Sequence, residues 1–159
     1  MSLYKKHRPT TFGDVLGNNH IKSFFDKQKE IPSAIMFTGG SGCGKTTIAR
    51  ILANKLEVPD IQYFEYNVAD DTGVDSARGI VEEANTPSIM GGYKFFVLDE
   101  YHQATKANQN CLLKVLEDTP KNVVFVICST EPEKIIKTVK TRCTAFEVDS
   151  PSNRELGVY

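Results

Sequence analysis

The sequence has no tryptophan, only four cysteines and three histidines, and no charge excess of either sign. Cys43, Cys111, Cys128 and Cys143 include no Cys-x-x-Cys pair. A structural zinc site therefore lacks local ligand pairs, and the four read as buried or incidental thiols. His7, His20 and His102 are too dispersed to mark a metal cluster. With 19 Lys and Arg against 20 Asp and Glu, the formal charge is −1. That balance excludes a global electrostatic pull toward nucleic acid or an anionic membrane, so any such contact must be local. No apolar run approaches the about 20 residues needed to span a bilayer, and the basic opening over residues 1–9 lacks the apolar stretch of a secretory signal. The expectation is a cytoplasmic chain with no membrane partner. Low-complexity tracts and internal repeats are also missing.

What is present is 159 residues with 40% apolar content, enough for one domain with its own core. Short apolar runs alternate with segments of helical period, the pattern of helices packed on a mostly parallel sheet. The runs predict strands at 34–38, 62–66, 94–98, 123–128 and 145–148. Helices are predicted at 45–56, 74–84 and 108–117, with a short one at 133–136 behind Pro132 and a further one at 21–28. Thr86, Pro87, Ser88, Gly91 and Gly92 mark a loop between helix and strand.

The most specific signal is Gly39-Gly40-Ser41-Gly42-Cys43-Gly44-Lys45-Thr46, which fits G-x-x-x-x-G-K-[ST] directly after a predicted strand and before a predicted helix. Glycines let successive N–H groups converge on phosphates, and the helix N-terminus adds its positive end. Lys45 is expected to reach the β- and γ-phosphates and Thr46 to ligate Mg²⁺, with Thr47 beside them in an ATP site. A dinucleotide-binding fingerprint starting at Gly40 fails, because Lys45 stands where its third glycine belongs.

The apolar run 94–98 ends in Asp99 and Glu100. Taken alone, such a pair could simply open a surface loop. Beside a phosphate loop it reads as machinery: Asp99 as the acid on the Mg²⁺ side, Glu100 as the group that orients or deprotonates the attacking water. Asp99-Glu100-Tyr101-His102 also matches the D-E-x-H of many helicases, but a helicase motor normally needs a second lobe that 159 residues cannot hold.

Further segments resemble the AAA+ clamp-loader ATPases, in particular the polymerase III gamma/tau subunits and the small subunits of replication factor C. Tyr4-Lys5-Lys6-His7-Arg8-Pro9 and 11–18 resemble the family's Y-R-P-x-x-F-x-D-V-x-G-Q opening. That resemblance implies that Arg8, Pro9, Val15, Leu16 and Gly17 line the base pocket. Glu65 to Asp70 is similar to E-x-N-A-S-D, and 105–117 to S-R-x-x-x-N-A-L-L-K-x-L-E. The second match implies that Thr105 and Lys106 contact the DNA backbone; the plain reading of Lys106 is a solvated lysine on an amphipathic helix. Phe125 to Pro132 resembles the strand that runs into the polar residue called sensor 1, here Thr130, and Thr141-Arg142-Cys143 resembles S-R-C. Arg142 is thereby implied as an arginine finger acting in trans, while by composition alone it is equally a surface salt-bridge partner.

The resemblance implies an α/β, three-layer P-loop NTPase core over 1–150, with a five-stranded parallel sheet flanked by helices. It implies ATP hydrolysis, other loader subunits in a ring or spiral, a sliding clamp and primer-template DNA as partners, and a cytoplasmic place at the nucleoid. The sequence departs from the family in three respects. Threonine stands for serine in Thr141-Arg142-Cys143, the cysteine-rich zinc insertion of gamma/tau is absent, and 151–159 reads as the start of a helical lid whose remainder is not in the sequence. A non-hydrolysing structural subunit of the same loader and another AAA+ DNA motor, such as a Holliday-junction helicase, are the alternatives.

Overall fold

The structure, a computed structural model, describes residues 9–28 and 30–150. The expected base-pocket residue Arg8 and the expected lid opening at 151–159 lie outside the described residues. Five strands, β1 (Ala34–Thr38), β2 (Tyr63–Asn67), β3 (Lys94–Asp99), β4 (Val123–Ser129) and β5 (Thr144–Glu147), form one sheet. Their order is β2-β3-β4-β1-β5, and every pairing is parallel. Helix α1 (Asn19–Lys27) precedes β1; parallel neighbours need crossovers, and these carry α2 (Lys45–Lys55), α3 (Val74–Asn85), α4 (Lys106–Glu117) and α5 (Lys137–Thr141).

Helices cover both faces of the sheet, which is why the central strands read as unbroken apolar runs rather than alternating ones. On β3, Phe95 and Val97 point into a core with Ile21 and Phe25 of α1 and Ile48 and Leu52 of α2. Phe96 and Leu98 point the other way, against Ala77 and Ile80 of α3 and Leu112 and Val115 of α4. The registers Phe64↔Phe96 and Phe96↔Phe125 set three rings face to face across β2, β3 and β4, with centroids 4.9 Å and 5.0 Å apart. Each such pair adds about 0.5–1.5 kcal/mol beyond its burial. The three-layer α/β class expected from the sequence is the one observed.

Element ends differ from the sequence reading for identifiable reasons. The short helix expected at 133–136 is a single 3-10 turn, Pro132–Lys134, and α5 follows it at Lys137. Gln109 Oε1 accepts the Ile136 N–H at 2.7 Å, and Ile136 is held extended at ψ 145°, which separates the two turns. Strand β2 begins at Tyr63 because Gln62 closes a 3-10 turn. Its buried amide donates to Gly91 O and Tyr93 O and accepts from Ser88 Oγ and Met90 N, pinning the 86–92 loop. Helix α4 begins at Lys106 rather than 108 because Thr105 caps it, accepting the Asn108 N–H at 3.1 Å.

Because the strands are parallel, their C-terminal ends lie along one edge of the sheet. Everything that leaves the strands at that edge is brought together; everything that enters them is held at the opposite edge.

Candidate functional site

Gly39 leaves β1 between β4 and β5. Its N–H donates to Ser129 O at 3.3 Å, and the Val148 N–H donates to Thr38 O at 2.7 Å. The loop from there to α2 is built tight. A Cβ on Gly39 would stand 2.5 Å from Val148 O and 2.8 Å from Cys43 Sγ, a space no side chain can share. Gly44 caps α2 at φ 99°, left-handed backbone that a glycine adopts without strain. Helix α2 thus starts with Lys45 and Thr46 at its N-terminus, where the first-turn N–H groups and the helix dipole favour an anion.

Lys45 is 7% exposed, and its Nζ donates to Gly39 O at 3.0 Å and Gly40 O at 2.8 Å. A buried ammonium whose hydrogen bonds among the described residues go to neutral groups of its own loop is an incomplete pairing, and a phosphate is the kind of group that completes it. Cys43 is buried under the loop with Sγ 3.7 Å from Lys45 Nζ. Ser41 and Gly42 are exposed at the tip, and Thr47 is buried in the first turn of the helix.

Two strands away, β3 ends at Asp99, whose Oδ1 accepts the Glu100 N–H at 2.9 Å. Burial pushes the Asp99 carboxyl above its ordinary value, as do the nearby Glu100 and Glu65 charges, while the Glu100 N–H and Lys45 pull it back. Lys45 and Asp99 are therefore within electrostatic reach of each other. Glu100 lies in the left-handed region at φ 55°, an unfavourable conformation for a non-glycine residue that strained functional sites retain. Strand β4 lies between β1 and β3, so Ser129 and Thr130 sit between the phosphate loop and the acids.

The chain just past Val15, Leu16 and Gly17 is tied to the same edge. Asn18 is buried and clamps the chain after β5, with its Nδ2 donating to Asp149 O at 3.1 Å and its Oδ1 accepting the Asp149 N–H at 2.7 Å. That clamp brings Val15, Leu16 and Gly17 toward the loop, which Val148 also touches. Val15 is buried and Leu16 exposed, while Pro9 is half-buried. Thr105 and Lys106, both exposed, start α4 just past β3 and so stand on the site's edge of the sheet.

Arg142 does not join this group. It precedes β5, whose first residue Thr144 is the register partner of Ile35, near the start of β1. Gly39 follows the end of β1, so the two are separated by roughly 13 Å of strand at ~3.3 Å per residue. Arg142 Nη2 instead pairs with Glu117 Oε1 at the end of α4, and its Nη1 donates to Thr138 O at 2.7 Å. Its Nε is buried with no hydrogen-bond partner among the described residues.

Two residues at the site escaped the sequence reading. His102 carries only the helicase-like signature there, and Ser129 none; in the structure they are hydrogen-bonded to each other. The signal available was spacing, since a residue three past the end of one strand can meet the end of the next.

No group of three or more His, Cys, Asp or Glu among the described residues could cage a metal. That suits Mg²⁺ in a phosphate site, where one or two protein oxygens and the phosphates hold the ion. Thr46 at the helix start and Asp99 at the strand end are the fitting donors.

Solved structures share this architecture. The Thermotoga maritima RuvB Holliday junction branch migration motor superposes with TM-score 0.76 at 19% identity, covering 94% of this chain and 51% of that one. A gamma subunit-related DNA polymerase III protein from the same organism gives TM-score 0.69 at 19% identity, covering 86% and 47%. With a phosphate loop after β1 and an acidic pair after β3, the fold and site define a P-loop AAA+ nucleotide-binding core. A family profile described as DNA polymerase III, delta subunit, matches residues 53–152. The chain belongs to that family, among the AAA+ clamp-loader subunits. Curated relatives include DNA polymerase III subunit gamma/tau of Mycobacterium bovis, 32% identical over 89% of this chain and 29% of the relative. The tau subunit of Escherichia coli is 29% identical over 92% and 26%, and that of Bacillus subtilis 30% identical over 92% and 30%. The chain thus spans under a third of these relatives' length. No helix of the described residues is long and apolar enough to cross a membrane.

Proposed function

We propose that the chain binds ATP with Mg²⁺ at the C-terminal edge of its sheet and hydrolyses it as a subunit of a sliding-clamp loader, coupling hydrolysis to clamp loading on primer-template DNA in the cytoplasm. The observation that carries this reading is the buried Lys45 ammonium, hydrogen-bonded to the Gly39 and Gly40 carbonyls inside a loop that ends on a helix N-terminus. Bound Mg²⁺ would neutralise phosphate charge. Lys45 and the loop N–H groups hold the β- and γ-phosphates, while Thr46 and Asp99 hold the ion. Glu100 accepts the proton of the water that forms the new bond to the γ-phosphorus, as the bond to the bridging oxygen of ADP breaks. Thr130 orients the γ-phosphate or that water. Pro9, Val15, Leu16 and Gly17, with Arg8, line the base, and Thr105 and Lys106 meet DNA phosphates.

Arg142 lies at the wrong edge to reach nucleotide on its own chain, which supports a role on the nucleotide of a neighbouring subunit. The test is ATP turnover by the chain assembled with its loader subunits, clamp and primer-template, against the same assembly carrying Glu100→Gln. Turnover lost in the variant with binding retained supports the reading. Equal turnover in both, or none by the wild type in a complete assembly, points to a non-hydrolysing structural subunit.

A further inference from the structure

His102 is buried, its side chain only 2% exposed, and the imidazole is surrounded by three polar groups. Its Nδ1 is 3.0 Å from Ser129 Oγ. Its Nε2 is 3.2 Å from Glu100 Oε2 and 3.5 Å from Glu131 Oε2. Ionised carboxylates only accept, so in the neutral ring the N–H sits on Nε2, facing them, and Nδ1 accepts from the Ser129 hydroxyl. The Glu131 N–H donates to Ser129 Oγ at 3.0 Å, which leaves that hydroxyl its own proton to give. Glu100 is the nearer. Glu131 is drawn aside by Lys134, whose Nζ lies 3.1 Å from Glu131 Oε1.

We propose that His102 is a positioning residue for Glu100: one ring joins the Glu100 carboxylate to Ser129, so the end of β4 sets where that carboxylate points. The inference rests on the reading of Glu100 as the group that receives the water proton. A carboxylate 37% exposed on a strained residue needs an anchor if it is to hold one direction. Ser129 lies directly beside Thr38 in the register and accepts the Gly39 N–H through its carbonyl. Glu100 is therefore tied, through His102 and Ser129, to the base of the phosphate loop.

Two measurements test this. The first is kcat, KM and nucleotide affinity of His102→Ala, His102→Asn and His102→Gln in the complete assembly. A glutamine amide reaches the Nε2 position and an asparagine amide only the Nδ1 position. The alanine and asparagine variants are expected to lose up to about 100-fold in kcat, the scale of a 1 Å misplacement, with affinity unchanged, and the glutamine variant to recover most of the loss. Wild-type kcat in a folded His102→Ala protein, or equal losses in the asparagine and glutamine variants, would overturn the proposal. The second measurement needs no turnover: the ¹⁵N ring resonances of His102, assigned by their loss in His102→Gln. The Nε2 resonance shifts on Glu100→Gln and the Nδ1 resonance on Ser129→Ala if the joint exists, and ring signals indifferent to both changes would overturn it. An assembly that fails to hydrolyse ATP would count against the proposed activity, and the ring signals tell that failure apart from a failure of the His102 joint.

Discussion

Two cations in this molecule are held in different ways. Lys45, at the C-terminal edge of the sheet, is buried and held by two carbonyls of its own loop. Arg142, at the opposite edge, is paired with a carboxylate, Glu117, and its side chain is 28% exposed. The lysine keeps a neutral, intraloop arrangement that a phosphate on the same chain can take over without moving the fold. The arginine is held in an ion pair, so any partner that recruits it must outcompete Glu117. On the proposed function, nucleotide binding is then a property of one chain, and completion of the reaction a property of two.

The sharpest way to break this comparison is Arg142→Ala. In the assembly it is expected to lower turnover by about a thousandfold or more while ATP binding to the same chain stays unchanged, as read by turnover and by titration in parallel. Lys45→Ala is expected to do the reverse, weakening ATP binding by about 100-fold, the worth of one or two charge-assisted bonds, with the fold intact by circular dichroism.

Asp99→Asn sharpens the lysine side. The carboxyl's pKa is raised in the folded chain, so the folded state is favoured while Asp99 is protonated and loses that advantage as pH rises from the ordinary carboxylate value through the raised one. Asparagine keeps an oxygen for the Glu100 N–H and removes the buried charge. Its nucleotide-free thermal midpoint at neutral pH is expected to exceed the wild type's, and the Mg²⁺ dependence of ATP binding to weaken. Glu117→Gln has the smallest expected effect. It releases Arg142 from a part-exposed ion pair at a stability cost under about 1 kcal/mol, measured by denaturant unfolding at low and high salt.

The core and the phosphate loop were legible because each rests on local sequence. Runs such as Phe95 to Leu98 are apolar on both faces since helices cover both, and the loop's glycines and Lys45 are contiguous. Ends of elements were less legible, because distant side chains set them: Gln109 stops the turn before Ile136, and Gln62 holds back β2. The edge to which a residue belongs was not legible at all. Arg142 and Thr130 are only 12 residues apart in the sequence, yet they lie at opposite ends of the sheet because the chain crosses back through α5. His102 and Ser129 meet only because β4 inserts between β1 and β3, an order that no local pattern encodes.

The most direct test of the division between the two edges is titration of ATP with Mg²⁺ into the wild-type chain, Lys45→Ala and Arg142→Ala. That division requires wild-type affinity for Arg142→Ala and loss of binding for Lys45→Ala. Equal weakening by both substitutions, or wild-type affinity in Lys45→Ala, would contradict it.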